Sequence, residues 1–156
     1  METEFTPEER RLVELWERHM RYEFADRDAA KTVDTMSDEN YVNHVPVMTG
    51  GRGRDEMLEF YGRYFISQMP ADTRITSVCR TVGQERVIDE IIFSFTHDIE
   101  MNWMLPGVPP TGGTSTFQPW LSCSSAGTQS FVKGFTGIRR RCSSRSACST
   151  RRSCPS

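Results

Sequence analysis

Two titratable side chains, Asp89 and His97, fall on the apolar face of a strand predicted within residues 87–103. Side chains along a strand point alternately to its two faces. The odd positions of this segment are almost all apolar: Val87, Asp89, Ile91, Phe93, Phe95, His97, Ile99, Met101 and Trp103. An imidazole on such a face can transfer protons near neutral pH or orient a ligand, or it can be a core histidine bonded to a neighbour. A carboxylate there requires a partner, so Asp89 is either a pocket acid or the ion-pair partner of Arg80 across a hairpin.

A third candidate, His44, lies in the segment NYVNHVPVMTGG, residues 40–51. This segment is rich in β-forming residues and ends in a glycine pair, which predicts a short strand running into a loop. His44 shares a face of that strand with Val42, and it has the same two interpretations as His97. The candidate catalytic residues are therefore His97, His44 and Asp89.

The candidate ligand-contacting residues are large and apolar or aromatic. Trp103, Met101 and Phe93 come from the strand, and Tyr61 comes from a predicted helix that could offer its hydroxyl to a pocket. Each of the four has an alternative role as a packed core residue. The three histidines are scattered and no carboxylate–histidine spacing recurs, so we expect neither a metal site nor a cofactor.

The elements that must position these residues follow an α+β order. Thr6-Pro7-Glu8-Glu9 predicts a capped helix start, and apolar residues at helical spacing follow it. A second helix is predicted over residues 26–37 and a third from about residue 54. Two long strands joined as a hairpin are predicted over residues 73–82 and 86–104. This order predicts helices packed on one face of a curved antiparallel sheet.

The charge distribution divides the chain near residue 112. Residues 1–112 contain 12 basic and 21 acidic residues, a net charge of −9, whereas residues 113–156 contain seven basic and no acidic residues. A basic segment of this kind can bind nucleic acid or acidic lipid. Its Arg- and Ser-rich end, residues 139–156, lacks interleaved aromatic residues, however, and we expect a solvated tail with no specific nucleic-acid partner. Four of the five cysteines also lie there, without the paired spacing of a zinc site: Cys123, Cys142, Cys148 and Cys154.

The sequence argues against several classes of protein. The chain has no GxxxxGK[ST], HExxH or GxSxG motif, which argues against P-loop enzymes, zinc-helix proteases and α/β-hydrolases. Its polar N-terminus lacks the apolar core of a signal peptide, and no run approaches membrane-spanning length. We therefore expect a cytoplasmic protein without disulfides and without a membrane partner.

Five segments carry a family resemblance, in order, across residues 9–112. They are LVELWERH, NYVNHVP, GRDEMLEFYGRYF, VIDEIIFSFTHDIEMNWMLPG and VPPTG. With them the chain resembles the SnoaL-like branch of the NTF2-like superfamily. The resemblance implies a cone-shaped α+β barrel, open at one end, whose interior holds a small and often apolar or polyketide-like ligand. It also implies a homodimer that packs sheet on sheet, and acid–base chemistry of the kind found in polyketide cyclases, isomerases and hydrolases.

The family pattern predicts two further long strands after the PTG of residues 110–112, the last carrying a His-Trp-Asp-like string. The literal chain has no acidic residue there. A displaced reading frame, in which each codon takes the last base of one residue and the first two of the next, restores both strands. With permissible synonymous choices, GTSTFQPWLSCSS becomes HVDVPAVAIVQF, and FTGIRRRCSSRSACSTR becomes VHWDQASVLVQIGLLDP.

The displaced frame predicts two parts in the chain. Residues 1–112 form an incomplete SnoaL-like domain, and residues 113–156 are a frameshifted, basic, disordered tail in which the C-terminal strands are lost. As an alternative, residues 117–121 add a short strand to the sheet. Three functional hypotheses follow: an impaired SnoaL-like enzyme, a non-catalytic ligand-binding or dimerisation module, and a non-functional frameshifted product.

Overall fold

Helix α1, Pro7–Met20, begins as the sequence predicts. The structure of the protein, a computed structural model, describes residues 5–45, 47–83, 85–124 and 130–134. The Thr6 hydroxyl accepts a hydrogen bond from the Glu9 amide, and the Glu9 carboxylate accepts one from the Thr6 amide, which completes a capping box. The last turn runs into a π-helical turn, Arg21–Ala25, closed by a hydrogen bond from the Asp26 amide to the Arg21 carbonyl. The buried residues of α1 are Leu12, Leu15, Trp16 and His19.

Two shorter helices complete the helical layer. Helix α2, Ala29–Asp34, lies inside the predicted segment and begins where the Asp28 carboxylate accepts a hydrogen bond from the Lys31 amide. Helix α3, Gly53–Glu59, continues as a second π-helical turn, Phe60–Phe65. Both π-helical turns were absent from the sequence prediction.

Strands β1, Tyr41–His44, and β2, Thr49–Arg52, form an antiparallel hairpin. The sequence predicted only the first of these strands, with a loop after it. The second forms because glycine permits a close approach of the two backbones: a Cβ on Gly50 would lie 1.9 Å from the Val42 carbonyl oxygen. Gly50 also has φ of +146°, which L side chains rarely adopt.

The main sheet contains the predicted hairpin and three later strands, but the second strand of the hairpin ends at Thr96 and not at residue 104 as predicted. Strand β3 spans Arg74–Gly83 and pairs antiparallel with β4, Arg86–Thr96, with a bulge between Ser77 and Cys79. The sheet order is β3-β4-β6-β7, where β6 spans Trp120–Ser124 and β7 spans Ser130–Gly134, and β5, Thr114–Phe117, pairs with the C-terminal half of β4. The α+β fold is confirmed. The order of the described strands leaves this sheet open, so closure into a cone stays a prediction.

The segment after Gly113 differs from the expected disordered tail as far as the structure describes it. Strands β5, β6 and β7 pair in the sheet, and their register with β4 directs Phe117, Leu121 and Cys123 to the same face as Phe93, Asp89 and Val87. This pairing matches the alternative expectation that residues 117–121 add a short strand to the sheet, although the paired residues extend beyond that range. The other residues of the predicted tail, 125–129 and 135–156, lie outside the described residues.

Candidate functional site

An aromatic cluster surrounds His44 between the helical layer and the sheet. We use this name for Phe60, Phe65, Phe93 and Trp103, all of which are buried. The His44 ring centroid lies 5.2 Å from that of Phe60, 5.3 Å from Trp103 and 5.5 Å from Phe65. The Thr49 hydroxyl lies 3.4 Å from His44 Nδ1 and donates to the Trp103 carbonyl. The structure therefore brings His44 together with two of the predicted ligand-contacting residues, Trp103 and Phe93, since Trp103 lies 6.3 Å from the Phe93 ring.

His97 directly follows the last residue of β4 and is held by the loop that precedes β5. Its amide donates to the Gly113 carbonyl, and its carbonyl accepts from the Thr111 and Gly112 amides. The Thr111 hydroxyl lies 3.3 Å from His97 Nδ1. The ring is buried, and among the described residues its Nε2 has no hydrogen-bond partner. His97 therefore has one ring nitrogen next to the Thr111 hydroxyl of the loop and one that is buried without a hydrogen-bond partner among the described residues.

Asp89 joins the sheet to α1. Its Oδ1 accepts from Arg80 Nε (2.7 Å), and its Oδ2 accepts from Arg80 Nη2 (2.9 Å) and from Trp16 Nε1 (2.7 Å). The Arg80 guanidinium also donates to Glu17 Oε1 at 2.7 Å. The hydrogen bond to Asp89 is the main reason that the pKa of Arg80 is raised. Of the two interpretations from the sequence, the contacts match pairing with Arg80 across the hairpin.

Met101 and Tyr61 occupy different surroundings. Met101 is fully buried, and its carbonyl accepts from the Met104 and Leu105 amides in the turn after β4. Tyr61, in the second π-helical turn, is fully buried with its ring 5.7 Å from Phe65. Burial, and after it the charge of Glu23, raises the pKa of Tyr61 well above its ordinary value. Its phenol therefore stays protonated at neutral pH.

Sequence reasoning missed a polar cluster on the helical side of the core. His19 and Glu23 are both fully buried, and His19 contacts Thr35 and Tyr61. Both follow the spacing of the α1 stripe, but only its apolar members were expected to be buried. A histidine and a glutamate four residues apart on that stripe were the available signal, because buried charged residues need partners.

Three further observations concern the described residues as a whole. Burial raises the pKa of the Cys123 thiol to about 12. Within the part of the chain that the structure describes, no group of three or more histidine, cysteine, aspartate or glutamate residues could hold a metal ion. No helix in those same residues is long and apolar enough to cross a membrane.

The fold is that of the NTF2-like proteins. The structure matches a protein named as a SnoaL-like polyketide cyclase from Jannaschia sp. CCS1 (TM-score 0.65, 16% identity, covering 83% of this chain and 88% of that one). It also matches SalBIII, described as an epoxide hydrolase/cyclase-like enzyme in pyran ring formation in the polyether salinomycin (TM-score 0.61, 12% identity, covering 84% of this chain and 95% of that one). A ketosteroid isomerase-like protein from Erwinia carotovora atroseptica SCRI1043 has a TM-score of 0.57 at 14% identity, with 86% and 100% covered.

The family is shown by the sequence itself. The family model of the SnoaL-like domain matches residues 16–124, and the chain belongs to that family. The match extends beyond residue 112, where the resemblance noted from the sequence ended, and includes β5 and β6. None of the curated protein sequences compared with the chain matches it.

Proposed function

We propose that the chain binds a small, mostly apolar organic molecule against the aromatic cluster and acts on it by cofactor-free acid–base chemistry, as a polyketide-cyclase-like isomerase or hydrolase. The observation that carries the proposal is the His44 imidazole, buried among three aromatic rings within 5.5 Å. Aromatic surfaces around a few polar groups are the usual lining of small-molecule sites. Membership of the SnoaL-like family and the cyclase-like neighbours support the same class of function.

The candidate residues take distinct roles in this proposal. Trp103, Phe93 and Met101 form the apolar wall. His44 and His97 supply imidazoles that bond to the polar end of the ligand and exchange protons with it, and the inward Nε2 of His97 supports this role. Asp89 keeps α1 and β4 in place, because three donor atoms already occupy its carboxylate.

The proposal is tested by calorimetric titration with 2-tetralone, a bicyclic aromatic ketone that fits an aromatic wall. We expect saturable binding by the full chain. Trp103→Phe should weaken binding about tenfold, which corresponds to ~1.4 kcal/mol of lost contact. Trp120→Phe is the matched control, because Trp120 is 53% exposed on the other face of the sheet. Equal affinity in both variants and the parent chain would overturn this placement of the site, and absence of binding would overturn the function.

A homodimer is our second proposal, and it concerns the outer face of the sheet. The large apolar side chains Val78, Ile92 and Trp120 are 43%, 36% and 53% exposed. Ile92 and Trp120 point away from the core, since their neighbours along each strand are buried. Exposed apolar groups that share a face mark protein contacts, and a second copy of this sheet would cover Ile92 and Trp120.

We also propose that the coding sequence changes frame near Gly112 and Gly113 and that the change impairs the activity. The complete absence of acidic residues after Glu100 supports this proposal, because the acid of the family's last strand is then missing. Resequencing the DNA around these two codons tests it. One displaced base is the expected result, and an undisturbed reading frame would exclude the proposal.

A further inference from the structure

Four buried polar side chains from three helical segments meet beside the aromatic cluster. His19 Nδ1 lies 2.6 Å from Thr35 Oγ1, and His19 Nε2 lies 3.3 Å from Glu23 Oε2 and 3.5 Å from the Tyr61 hydroxyl. His19, Glu23 and Tyr61 have no exposed surface, and Thr35 is 5% exposed. Trp16 stacks on the His19 ring at 5.7 Å. The imidazole is thus covered on one face, while its Nε2 edge is directed to Glu23 and Tyr61.

The hydrogen bonds of Thr35 decide which nitrogen of His19 carries a proton. The Thr35 hydroxyl donates to the Thr32 carbonyl at 2.6 Å. A hydroxyl has a single hydrogen, so toward His19 its oxygen can only accept. Nδ1 is therefore protonated and donates to Thr35, and Nε2 is the nitrogen that takes up or releases a proton.

His19 Nε2 and Glu23 Oε2 lie 3.3 Å apart, which is within ion-pair distance. A proton on one of the two atoms makes this contact favourable, because two facing lone pairs would repel each other. The two arrangements are imidazolium with carboxylate and neutral imidazole with carboxylic acid. Both have zero net charge, which suits full burial. The Tyr61 phenol, which stays protonated, is the next group along this line.

Both π-helical turns take part in the cluster. Glu23 lies in the turn Arg21–Ala25 and Tyr61 in the turn Phe60–Phe65. π-helical turns are rare, and they occur disproportionately at functional sites. Two of them directed at the same histidine give an independent reason to assign the cluster a function.

The cluster borders the aromatic cluster directly. The Tyr61 ring lies 5.5 Å from Phe60 and 5.7 Å from Phe65, and both of these rings contact His44. Phe24, which follows Glu23 in the chain, lies 5.9 Å from Phe65 and 6.0 Å from Phe93. A ligand held by the aromatic cluster is therefore next to Tyr61 and to the turn that carries Glu23.

We propose that His19, Glu23 and Tyr61 form an acid–base site for keto–enol proton transfer in a small ketone. This inference rests on the proposed function, because the ketone is the molecule held by the aromatic cluster. The Glu23 carboxylate takes a proton from the carbon beside the carbonyl, and the C–H electron pair becomes the C=C bond. The carbonyl π electrons take a proton from the Tyr61 hydroxyl, which regains one from His19 Nε2. Return of the shared proton from Glu23 to His19 restores the starting state, and Thr35 is a positioning residue that fixes the tautomer.

The test is the hydrogen–deuterium exchange of 2-tetralone at its carbon beside the carbonyl, followed by NMR in D2O with the full chain. We expect exchange faster than in buffer alone. Glu23→Gln should slow it about 100-fold, a usual contribution of general acid–base catalysis, and Tyr61→Phe should also slow it. Glu14→Gln, which removes the same charge from an exposed position of α1, is the matched control and should exchange at the parent rate.

Calorimetry on the same samples separates this inference from the proposed function. Binding of 2-tetralone without accelerated exchange, or parent-rate exchange in Glu23→Gln, overturns the acid–base site and leaves the binding function intact. Absence of binding overturns the proposed function itself. If Glu23→Gln fails to fold, the same measurements are made on Tyr61→Phe, which keeps the ring. Parent-rate exchange in that variant then overturns the acid–base site.

Thr35→Val adds a measurement whose result would not change if Thr35 had only a structural role. In 15N-labelled protein we expect a protonated Nδ1 for His19, and its signal should shift in Thr35→Val while exchange slows and 2-tetralone affinity is unchanged. A His19 protonated at Nε2 alone in the parent chain would contradict the assignment.

Discussion

At the scale of single residues, Asp89 joins Arg80 of β3 and Trp16 of α1 through one buried carboxylate. Asp89→Asn removes the charge that the partly buried Arg80 pairs with, and we expect the free energy of unfolding to fall by about 3 kcal/mol, as for one partner lost from a buried ion pair. Glu17→Gln removes the other, mostly exposed partner of Arg80 and should cost less than about 1 kcal/mol. Urea denaturation of the two variants measures both. Similar small losses would show that the Asp89 pair does not hold α1 on the sheet.

Because the Cys123 thiol is buried, we expect the free energy of unfolding to fall in alkaline solution. Its thiol has an ordinary pKa of 9.0 when unfolded and about 12 when buried in the fold. Above pH 9 the unfolded chain releases this proton while the folded chain keeps it, so stability falls as the pH rises from 9 toward 12. The slope approaches about 1.4 kcal/mol per pH unit for one proton.

Urea denaturation at several pH values under reducing conditions checks this prediction. Cys123→Ala should flatten the slope relative to the parent chain, and Cys79→Ala, at a less buried position, is the control. An unchanged slope in Cys123→Ala would mean that the thiol titrates normally in the folded protein, contrary to its burial in β6.

At the scale of secondary structure, the β1–β2 hairpin depends on one glycine. Gly50→Ala would place a methyl group 1.9 Å from the Val42 carbonyl oxygen on a backbone with φ of +146°. The hairpin must then shift, and since it carries His44 we expect both a lower melting temperature and weaker 2-tetralone binding. Gly62→Ala is the control, because its new methyl would meet the nearest atom at 3.8 Å. Equal melting temperatures in the two variants would contradict the hairpin geometry.

The elements that could be predicted from the sequence are those with local signals. The capping residues at Thr6 and Glu9 marked the start of α1, and strict alternation marked β4 and the inward direction of Asp89. The same alternation extended the predicted strand to residue 104, whereas β4 ends at Thr96, before His97. The π-helical turns could not be predicted, because an inserted residue in a helix has no composition of its own and depends on tertiary packing. For the same reason the shared environment of Glu23, Tyr61 and His19 is a property of the packed helices.

The strands after Gly113 could not be predicted for a different reason, because their local signals are weak. The basic composition and the displaced reading frame after Gly113 favoured a disordered tail, but β5 and β6 pair with the exposed edge of β4, whose unpaired amides and carbonyls accept a neighbouring strand. Tertiary pairing thus overrides weak local propensity in Thr114–Phe117 and Trp120–Ser124. The catalytic assignments of His97, His44 and Asp89 remain predictions.

At the scale of the whole molecule, the outer face of the sheet predicts the oligomeric state. Light scattering after size exclusion should give the mass of a dimer, and Trp120→Lys should give that of a monomer, because a charge at this 53% exposed position would be buried between two sheets. Tyr41→Lys is the control at a similarly exposed aromatic residue of the separate β1–β2 hairpin. A parent chain that is monomeric at high concentration would contradict the proposed dimer.

The central claim is that an organic ligand is held inside the molecule, against the aromatic cluster. The chain contains three tryptophans in distinct places: Trp16 on α1, Trp103 in the aromatic cluster and Trp120 on the outer face. Incorporation of 5-fluorotryptophan therefore gives three 19F signals that report on three regions during a titration with 2-tetralone. The account predicts a saturable shift of the Trp103 signal while the Trp120 signal stays in place. A shift confined to Trp120, with Trp103 unmoved at saturation, would contradict it.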